Sequence, residues 1–307
     1  MLVLLGPQRF RPTLGETVSD LAVRGPIAVV TAGWQERESE DRELQKHLDR
    51  EVVDLRLYHR AADVLERDRE LAQALRERQE TLQELQGLYR LRLSYALDAA
   101  RELWRRRGRS RLLGEQRRAA VRAVRSLDRW HLRRIRRIHD AFTERWTPRR
   151  RSAVAGHREQ LERIVESVGA LCIAGGHVAV LLSRLRLFDF PSLAGDRPVI
   201  AWSAGAMAVS ERVVLFHDSP PQGAGNPEVL DAGLGLCRRL VALPHARRRL
   251  QLDDPVRVSL FARRFAPSTC AVFEQGSRLD WDGVNWSAAP GTVGLDTRGG
   301  LRQVAGV

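Results

Sequence analysis

The segment VIAWSAGAMAVSERV, residues 199–213, places a serine hydroxyl where it could act as a nucleophile. Apolar residues lead directly into Ser203, and the small residues Ala204 and Gly205 follow it before a helix-compatible stretch. A strand, a serine and a helix in this order are typical of a nucleophile elbow, in which a sharp turn exposes the hydroxyl. The N–H group of Ala204 could then bind a developing oxyanion. The same residues also fit an ordinary tight turn in which the serine caps the helix.

A histidine could supply the base that a serine nucleophile needs. His245 follows the apolar run LVALP, residues 240–244. We therefore expect it at the end of a strand, where the active sites of open α/β sheets gather. A histidine in a surface loop is the alternative interpretation.

Glu274 could orient this histidine and complete a triad. It ends the apolar run CAVF, and a carboxylate that closes a buried strand needs a partner because burying an unpaired charge is costly. A solvated turn glutamate is the alternative.

The turn AGGH, residues 174–177, joins a predicted strand to a predicted helix. Its glycines, Gly175 and Gly176, could let backbone N–H groups face a substrate oxygen.

An α/β framework must position these groups, and the sequence predicts one in two pieces. Apolar runs at residues 2–5 and 26–33 predict strands, as such runs suit a parallel sheet buried on both faces. The alternating apolar and polar residues 51–57 predict a third strand. From residue 170 onwards strands and helices alternate again. We therefore expect an α/β fold with a mostly parallel sheet flanked by helices.

A long arginine-rich helical hairpin or small bundle is predicted to interrupt this sheet. Apolar residues recur every seven positions from Leu75 to Leu103, and a second seam runs from Val124 to Trp146. We predict Trp130 and Trp146 to be core residues. The expected domains are residues 1–60 and 169–307, the two parts of an α/β hydrolytic domain, and residues 61–168, an inserted helical arm. Such insertions are tolerated because closing a longer loop costs little.

The net charge of +13 is concentrated in this arm. Residues 101–151 hold 19 arginines and five acidic residues, a net of +14, whereas residues 61–100 hold six arginines and eight acidic residues. Ion pairs between the two segments would offset only part of this charge. We expect the remaining arginines to face solvent, to join copies of the chain in a homo-oligomer, to steer an anionic substrate, or to bind an anionic partner, either nucleic acid or an acidic protein.

Four segments together resemble the aspartyl dipeptidase and cyanophycinase family of serine peptidases, which shares its fold with class I glutamine amidotransferases. The segments are VIAWSAGAMA, ALCIAGGH, GLGLCRRLVALPH and CAVFEQGSRLDWDG, and the resemblance covers roughly residues 1–57 and 170–290. It implies a serine nucleophile, a histidine base and an acid in that chain order. The matching positions are Ser203, His245 and Glu274.

The resemblance also implies an oxyanion hole, formed at Gly175, Gly176 and Ala204. Two positions depart from the family pattern. Ala201 stands where glycine is frequent, and His177 follows the glycine pair where a small or amide residue is frequent. His177 is therefore a candidate substrate contact. Asp218, in a loop expected near the site, is a weaker candidate for an acid or a substrate contact.

The function expected from these residues is a serine hydrolase that cleaves a peptide or isopeptide bond through an acyl-enzyme. The family preference would place an aspartyl residue on the acyl side, paired with Arg247, Arg248 or Arg249. The alternative is a catalytically degenerate α/β binding protein whose basic arm docks nucleic acid or an acidic partner. No metal or organic cofactor is implied. Three dispersed cysteines and the absence of a long apolar run favour a cytoplasmic protein with no membrane partner.

Overall fold

The structure, a computed structural model, describes residues 1–40, 42–48, 50–108, 110–216 and 225–304. Its strands in chain order are β1 (Leu2–Leu5), β2 (Ile27–Val30), β3 (Val52–Asp54), β4 (Ala170–Ile173), β5 (Val199–Trp202), β6 (Arg212–Leu215), β7 (Glu228–Ala232), β8 (Leu240–Pro244), β9 (Thr269–Phe273), β10 (Arg278–Trp281), β11 (Trp286–Ala288), β12 (Val293–Leu295) and β13 (Leu301–Gln303). Its α-helices are α1 (Leu14–Asp20), α2 (Arg42–Leu48), α3 (Leu57–Arg67), α4 (Arg69–Arg105), α5 (Arg111–Trp146), α6 (Ser152–Ser167), α7 (Val178–Leu187), α8 (Phe190–Ala194), α9 (Ala204–Val209), α10 (Ala246–Arg249) and α11 (Pro255–Phe265). Two 3₁₀ helices lie at Ala32–Arg37 and Pro148–Arg150.

Four short strands of the central sheet, β1, β2, β4 and β5, are apolar and buried on both faces. Its order is β11-β10-β1-β5-β4-β2-β3, with the five strands from β1 to β3 parallel and β10 and β11 antiparallel. Alternate residues of β1 point to opposite faces, so Leu2 and Leu4 join one core cluster while Val3 and Leu5 join another. The expected fold class, a mostly parallel α/β sheet flanked by helices and interrupted by a long helical hairpin, is confirmed.

A second sheet, of order β13-β12-β9-β8, was not predicted from the sequence. Its strands β8 and β9 run parallel, and Pro244 pairs with Phe273 at their ends. His245 and Glu274 are the next residues, so they leave this sheet side by side. The turn after Glu274 lies against the loop after β1, since a Cβ atom on Gly6 would come within 1.8 Å of the Glu274 carbonyl oxygen. The two sheets therefore meet next to Glu274.

The long helices α4 and α5 form the hairpin between β3 and β4, and they pack onto the α/β body. Leu85, Tyr89 and Leu93 of α4 belong to the same buried cluster as residues of the central sheet. The predicted domain boundaries at residues 60 and 168 stay predictions. Within the described ranges, no helix has the length and apolar composition needed to cross a bilayer.

A buried polar cluster joins this hairpin to α11. The guanidinium group of Arg264 donates to both carboxylate oxygens of Asp128, at 2.6 and 2.7 Å, and to the hydroxyl of Tyr89 at 2.9 Å. Tyr89 donates its own proton to Asp128. Since each of these groups is buried, each depends on the others to offset the loss of hydration.

The prediction that Trp130 is a core residue is wrong. Its side chain is 42% exposed, and the guanidinium group of Arg92 lies over its ring. The buried seam of α5 passes through Leu127 and His131 instead, and Trp130 falls on the flank of the helix. Trp146 is half-buried and packs against the core.

Candidate active site

Ser203 occupies a strained turn between β5 and α9. Its backbone angles are φ 52° and ψ −120°, a conformation that L-residues rarely adopt and that costs about 1–3 kcal/mol. The turn is tight because α9 lies directly over the end of β4. A Cβ atom on Gly205 would come within 2.4 Å of the Ile173 carbonyl oxygen, so only glycine fits there.

The glycine turn after β4 passes directly against this serine. A Cβ atom on Gly175 would lie 2.9 Å from Cβ of Ser203 and 3.6 Å from both its Oγ and the amide nitrogen of Ala204. Gly176 has φ +116°, and its own Cβ would come within 2.3 Å of the Gly33 carbonyl oxygen. That oxygen also accepts a hydrogen bond from the His177 N–H group at 2.8 Å. The 3₁₀ helix after β2, Ala32–Arg37, therefore holds the glycine turn in place.

His177 caps the helix that follows this turn. Its Nδ1 atom accepts a hydrogen bond from the Val180 N–H group at 3.3 Å. A neutral ring that accepts at Nδ1 carries its proton on Nε2. Because the side chain is exposed and lines the cavity described below, Nε2 is a hydrogen-bond donor available to a ligand.

His245 and Glu274 are held by the paired ends of β8 and β9. The His245 N–H group donates to the Phe273 carbonyl oxygen at 3.0 Å, and His245 adopts a left-handed backbone conformation with φ 58°. One carboxylate oxygen of Glu274 accepts from the Arg247 N–H group at 2.8 Å, while the Glu274 N–H group donates to Ser277 Oγ. These contacts fix both residues at the carboxyl ends of parallel strands.

Burial, more than the neighbouring charges, favours the neutral form of His245. Burial lowers the pKa of the imidazole, and the positive charges of Arg249 and Arg248 lower it further, while the negative charge of Glu274 raises it. The net direction is below the ordinary value. A neutral imidazole can accept a proton near neutral pH, which is the state a general base requires.

A single cavity of about 1140 Å³ is lined by the serine elbow, the glycine turn, His245 and Glu274. Its lining includes the predicted site residues that the structure describes, which are Ser203, His245, Glu274, Gly175, Gly176, Ala204 and His177. Asp218 lies outside the described residues. Within the described part of the chain, the Ser203 hydroxyl and the His245 ring make no hydrogen bond to each other. In ligand-free active sites such bonds are often long and shorten only when substrate binds.

The cavity also contains residues that the sequence analysis did not identify. Arg9 and Phe10 follow β1, Trp34 follows β2, and His47 lies in α2. Arg9, Phe10 and Trp34 come shortly after the carboxyl ends of predicted parallel strands. That position is the sequence feature from which they could have been predicted as site residues. Of the three candidate arginines, Arg248 and Arg249 line the cavity, and Arg247 is not in its lining.

The helical hairpin reaches this cavity through β7. Val229 donates its N–H group to the Tyr89 hydroxyl and accepts from the Gln86 amide at 3.2 Å. Glu228 pairs with Arg90 at 2.7 Å. Leu230, which lies among these residues, lines the cavity. The hairpin thereby supports one wall of the candidate site.

Comparison with known proteins gives a likeness of fold. No protein-family model matches the chain, and no curated protein sequence matches it. Among solved structures, the chain is similar to a peptidase from an acI-B1 Actinobacterium, with a TM-score of 0.50 and 11% sequence identity. The likeness covers 100% of this chain and 95% of that peptidase chain. At this identity the likeness is one of fold.

Proposed function

We propose that this protein is a serine hydrolase that cleaves a peptide or isopeptide bond with Ser203, His245 and Glu274. The observation that carries the proposal is the strained elbow at Ser203, which packs against Gly175 in a cavity that His245 and Glu274 also line. Strain of this kind persists only where the surrounding structure fixes it, and it is concentrated at functional sites. The fold likeness to a solved peptidase supports the same class of reaction.

In the proposed reaction, the Ser203 Oγ atom attacks the substrate carbonyl carbon while its proton passes to His245. The carbonyl oxygen becomes an oxyanion, which the N–H groups of Ala204 and the glycine turn at Gly175 and Gly176 bind. His245 then gives the proton to the leaving amine, and an acyl-enzyme remains. Water releases the acyl group by the same steps. Glu274 holds the imidazole and stabilises its protonated form.

The substrate proposed on the acyl side is an aspartyl residue. Arg248 and Arg249 line the cavity beside His245, and neither forms an ion pair with any described residue. Two guanidinium groups without an ion pair to the described residues, placed in a concave site, favour a carboxylate ligand. His177 Nε2 and Arg9 are further donors in this cavity.

A panel of dipeptides tests this specificity directly. We expect Asp-Leu to be hydrolysed faster than Asn-Leu, which has the same shape without the charge. The substitution Arg249→Gln will raise KM for Asp-Leu more than for Asn-Leu if this arginine binds the carboxylate. The variant Arg247→Gln is the matched control, because the Arg247 side chain is not part of the cavity lining. Equal rates for the two dipeptides would exclude the aspartyl preference.

The second candidate is a binding protein that retains the fold without the activity. The observation in its favour is that Ser203 and His245 make no hydrogen bond to each other in the described structure. Exposed arginines of α5 would then dock nucleic acid or an acidic partner. Salt-sensitive binding of wild type to a DNA duplex, lost in Arg133→Glu/Arg137→Glu, would support this function. Covalent labelling of Ser203 by a fluorophosphonate would show that the site is nevertheless chemically competent.

A further inference from the structure

The solvent-facing side of the helical hairpin has an apolar centre. Leu88, Leu91 and Tyr95 of α4 are 58%, 59% and 71% exposed, and Trp130 of α5 is 42% exposed. The spacing of the three α4 residues puts them on one side of the helix. Exposed apolar side chains that are contiguous, rather than scattered, mark an interaction surface. We refer to these four residues, with the charged residues beside them, as the hairpin face.

Around the four apolar residues, the exposed charges are mainly acidic on α4, although Arg92 also lies there over the Trp130 ring, and basic on α5. On α4, the exposed acids Glu80 and Glu84 precede the apolar residues and Asp98 follows them. On α5, arginines recur at helical spacing on the exposed side, namely Arg118, Arg122, Arg129, Arg133 and Arg137. In the described part of the chain, neither Glu80, Glu84 nor any of these arginines forms an ion pair. Asp98 pairs with Arg101 of the same helix at 2.9 Å, so the charges without a partner among the described residues are Glu80 and Glu84 on α4 and the five arginines on α5.

Buried contacts define which residues of α4 and α5 lie at the same height along the hairpin. Tyr89 contacts Asp128 at 2.7 Å, and Gln86 contacts His131 at 2.8 Å. The helices are antiparallel, so Glu84 is level with Arg133 and Glu80 is level with Arg137. By the same register, Leu91 is level with Ser126, and Asp98 is level with the turn that contains Arg118.

We propose that the hairpin face binds a second copy of this chain, with the two-fold axis parallel to the hairpin. About that axis, α4 of each copy lies over α5 of the other at the same height. Glu84 then meets Arg133 of the second copy, and Glu80 meets Arg137 of the second copy. The apolar residues of both copies meet at the centre, and the result is a four-helix bundle with an isologous interface.

Other arrangements bring like charges together. A two-fold axis perpendicular to the helices would place α4 on α4 and α5 on α5, which opposes acid to acid and arginine to arginine. A nucleic acid on this face would contact the arginines, but its phosphates would also face Glu80 and Glu84, and its groove would meet Leu91 and Tyr95. Charge complementarity combined with an apolar centre is what a self-complementary protein interface provides.

Sedimentation velocity over a dilution series measures whether the chain dimerises. Two variants, one with reversed charges on α4 and one with reversed charges on α5, are predicted to complement each other. We expect wild type to sediment as a dimer of the 34.7 kDa chain. Glu80→Arg/Glu84→Arg and Arg133→Glu/Arg137→Glu will each weaken dimerisation about tenfold or more, since a loss of about 1.4 kcal/mol is a tenfold change. An equimolar mixture of these two variants will form a heterodimer, because each supplies the charge the other lacks. Leu91→Asp will also yield monomers.

Matched controls keep this result interpretable. Arg163→Glu reverses an exposed arginine on α6, outside the hairpin face, and should leave the dimer unchanged. Far-ultraviolet circular dichroism and thermal unfolding establish that each variant is folded. The proposal is overturned if wild type stays monomeric up to its solubility limit, if the swapped variants dimerise as wild type does, or if their mixture stays monomeric. A monomer that binds a DNA duplex would assign the face to nucleic acid instead.

Discussion

Gly175 lies so close to Ser203 that a methyl group on its Cα atom would come within 2.9 Å of the serine Cβ atom. The absence of a side chain at residue 175 is therefore a condition for the elbow at residue 203. The two residues end neighbouring parallel strands, β4 and β5, and this adjacency brings the glycine turn beside the hydroxyl.

The first prediction follows from this contact. Gly175→Ala will push the two turns apart and lower the rate of fluorophosphonate labelling about 100-fold, because small displacements in a reactive site have effects of that size. It will also destabilise the fold. The loss of stability should be smaller in a Ser203→Gly background, where the clashing Cβ atom is absent. Urea unfolding measures the free energy that Gly175→Ala costs in each background. Equal losses in wild type and in Ser203→Gly would show that the contact between residues 175 and 203 does not cause the destabilisation.

The second prediction concerns the strain at Ser203. Ser203→Ala keeps a Cβ atom in a backbone conformation with φ 52°, whereas Ser203→Gly removes the steric penalty. We expect the glycine variant to be more stable than the alanine variant by about 1 kcal/mol, since the strain exceeds the extra entropy of an unfolded glycine. Chemical denaturation of the two variants measures the difference. If the alanine variant were the more stable, residue 203 would not be strained.

The third prediction is the pH dependence of labelling. The pKa of His245 is lowered by burial and then by Arg249, so the neutral base is present at pH 7. Labelling will be lost only as the pH falls below the ordinary histidine value of about 6.5. Arg249→Gln removes a positive charge, which raises the pKa of His245 and moves the acid limb to higher pH. Glu274→Gln removes a negative charge and moves that limb to lower pH.

The control for this profile is Arg247→Gln, because its charge is not among those that shift the pKa of His245. The assignment of His245 as the base would be contradicted if Arg249→Gln and Glu274→Gln moved the acid limb in the same direction. It would also be contradicted if none of the three variants changed the pH profile of labelling.

The fourth prediction concerns the cluster that joins the hairpin to α11. Asp128→Ala leaves the buried guanidinium group of Arg264 without its counter-charge, and the expected loss of stability is about 3–5 kcal/mol. Arg111→Ala, which removes an exposed pair with Glu115, should cost less than about 0.5 kcal/mol. Urea unfolding of both variants tests the contrast. Comparable losses would mean that the buried cluster does not hold the hairpin to the body.

The sequence was informative where function depends on local pattern. Apolar runs ending in Ser203, His245 and Glu274 predicted strand ends, and these three residues line one cavity. The pairing of β8 with β9 in a second sheet was not predictable, because strand partners are set by contacts distant in sequence. The β6–β7 ribbon was missed for the same reason. Arg9 joins the cavity through the loop after β1, and its position after a predicted parallel strand was the only signal that its segment offered.

For the hairpin, the apolar pattern predicted the helices correctly but did not determine which side chains are buried. A seven-residue repeat predicted the first long helix and a seam at three- and four-residue spacing predicted the second, and α4 and α5 are 37 and 36 residues long. Trp130 lies next to the second seam rather than in it, and its expected place in the core was wrong, since the side chain is 42% exposed. Nor did the apolar pattern predict the contacts of Tyr89 and Gln86 with Val229, because those depend on where the hairpin docks.

The most direct test of the proposed hydrolase is intact-mass and peptide mass spectrometry after incubation with a fluorophosphonate. We expect one adduct per chain, located on Ser203, with none in Ser203→Ala and a strongly reduced rate in His245→Ala. Ser126→Ala, which changes an exposed serine on α5, should label as wild type does. Wild type that is folded but unlabelled, or an adduct that persists in Ser203→Ala, would contradict the assignment of Ser203 as the nucleophile.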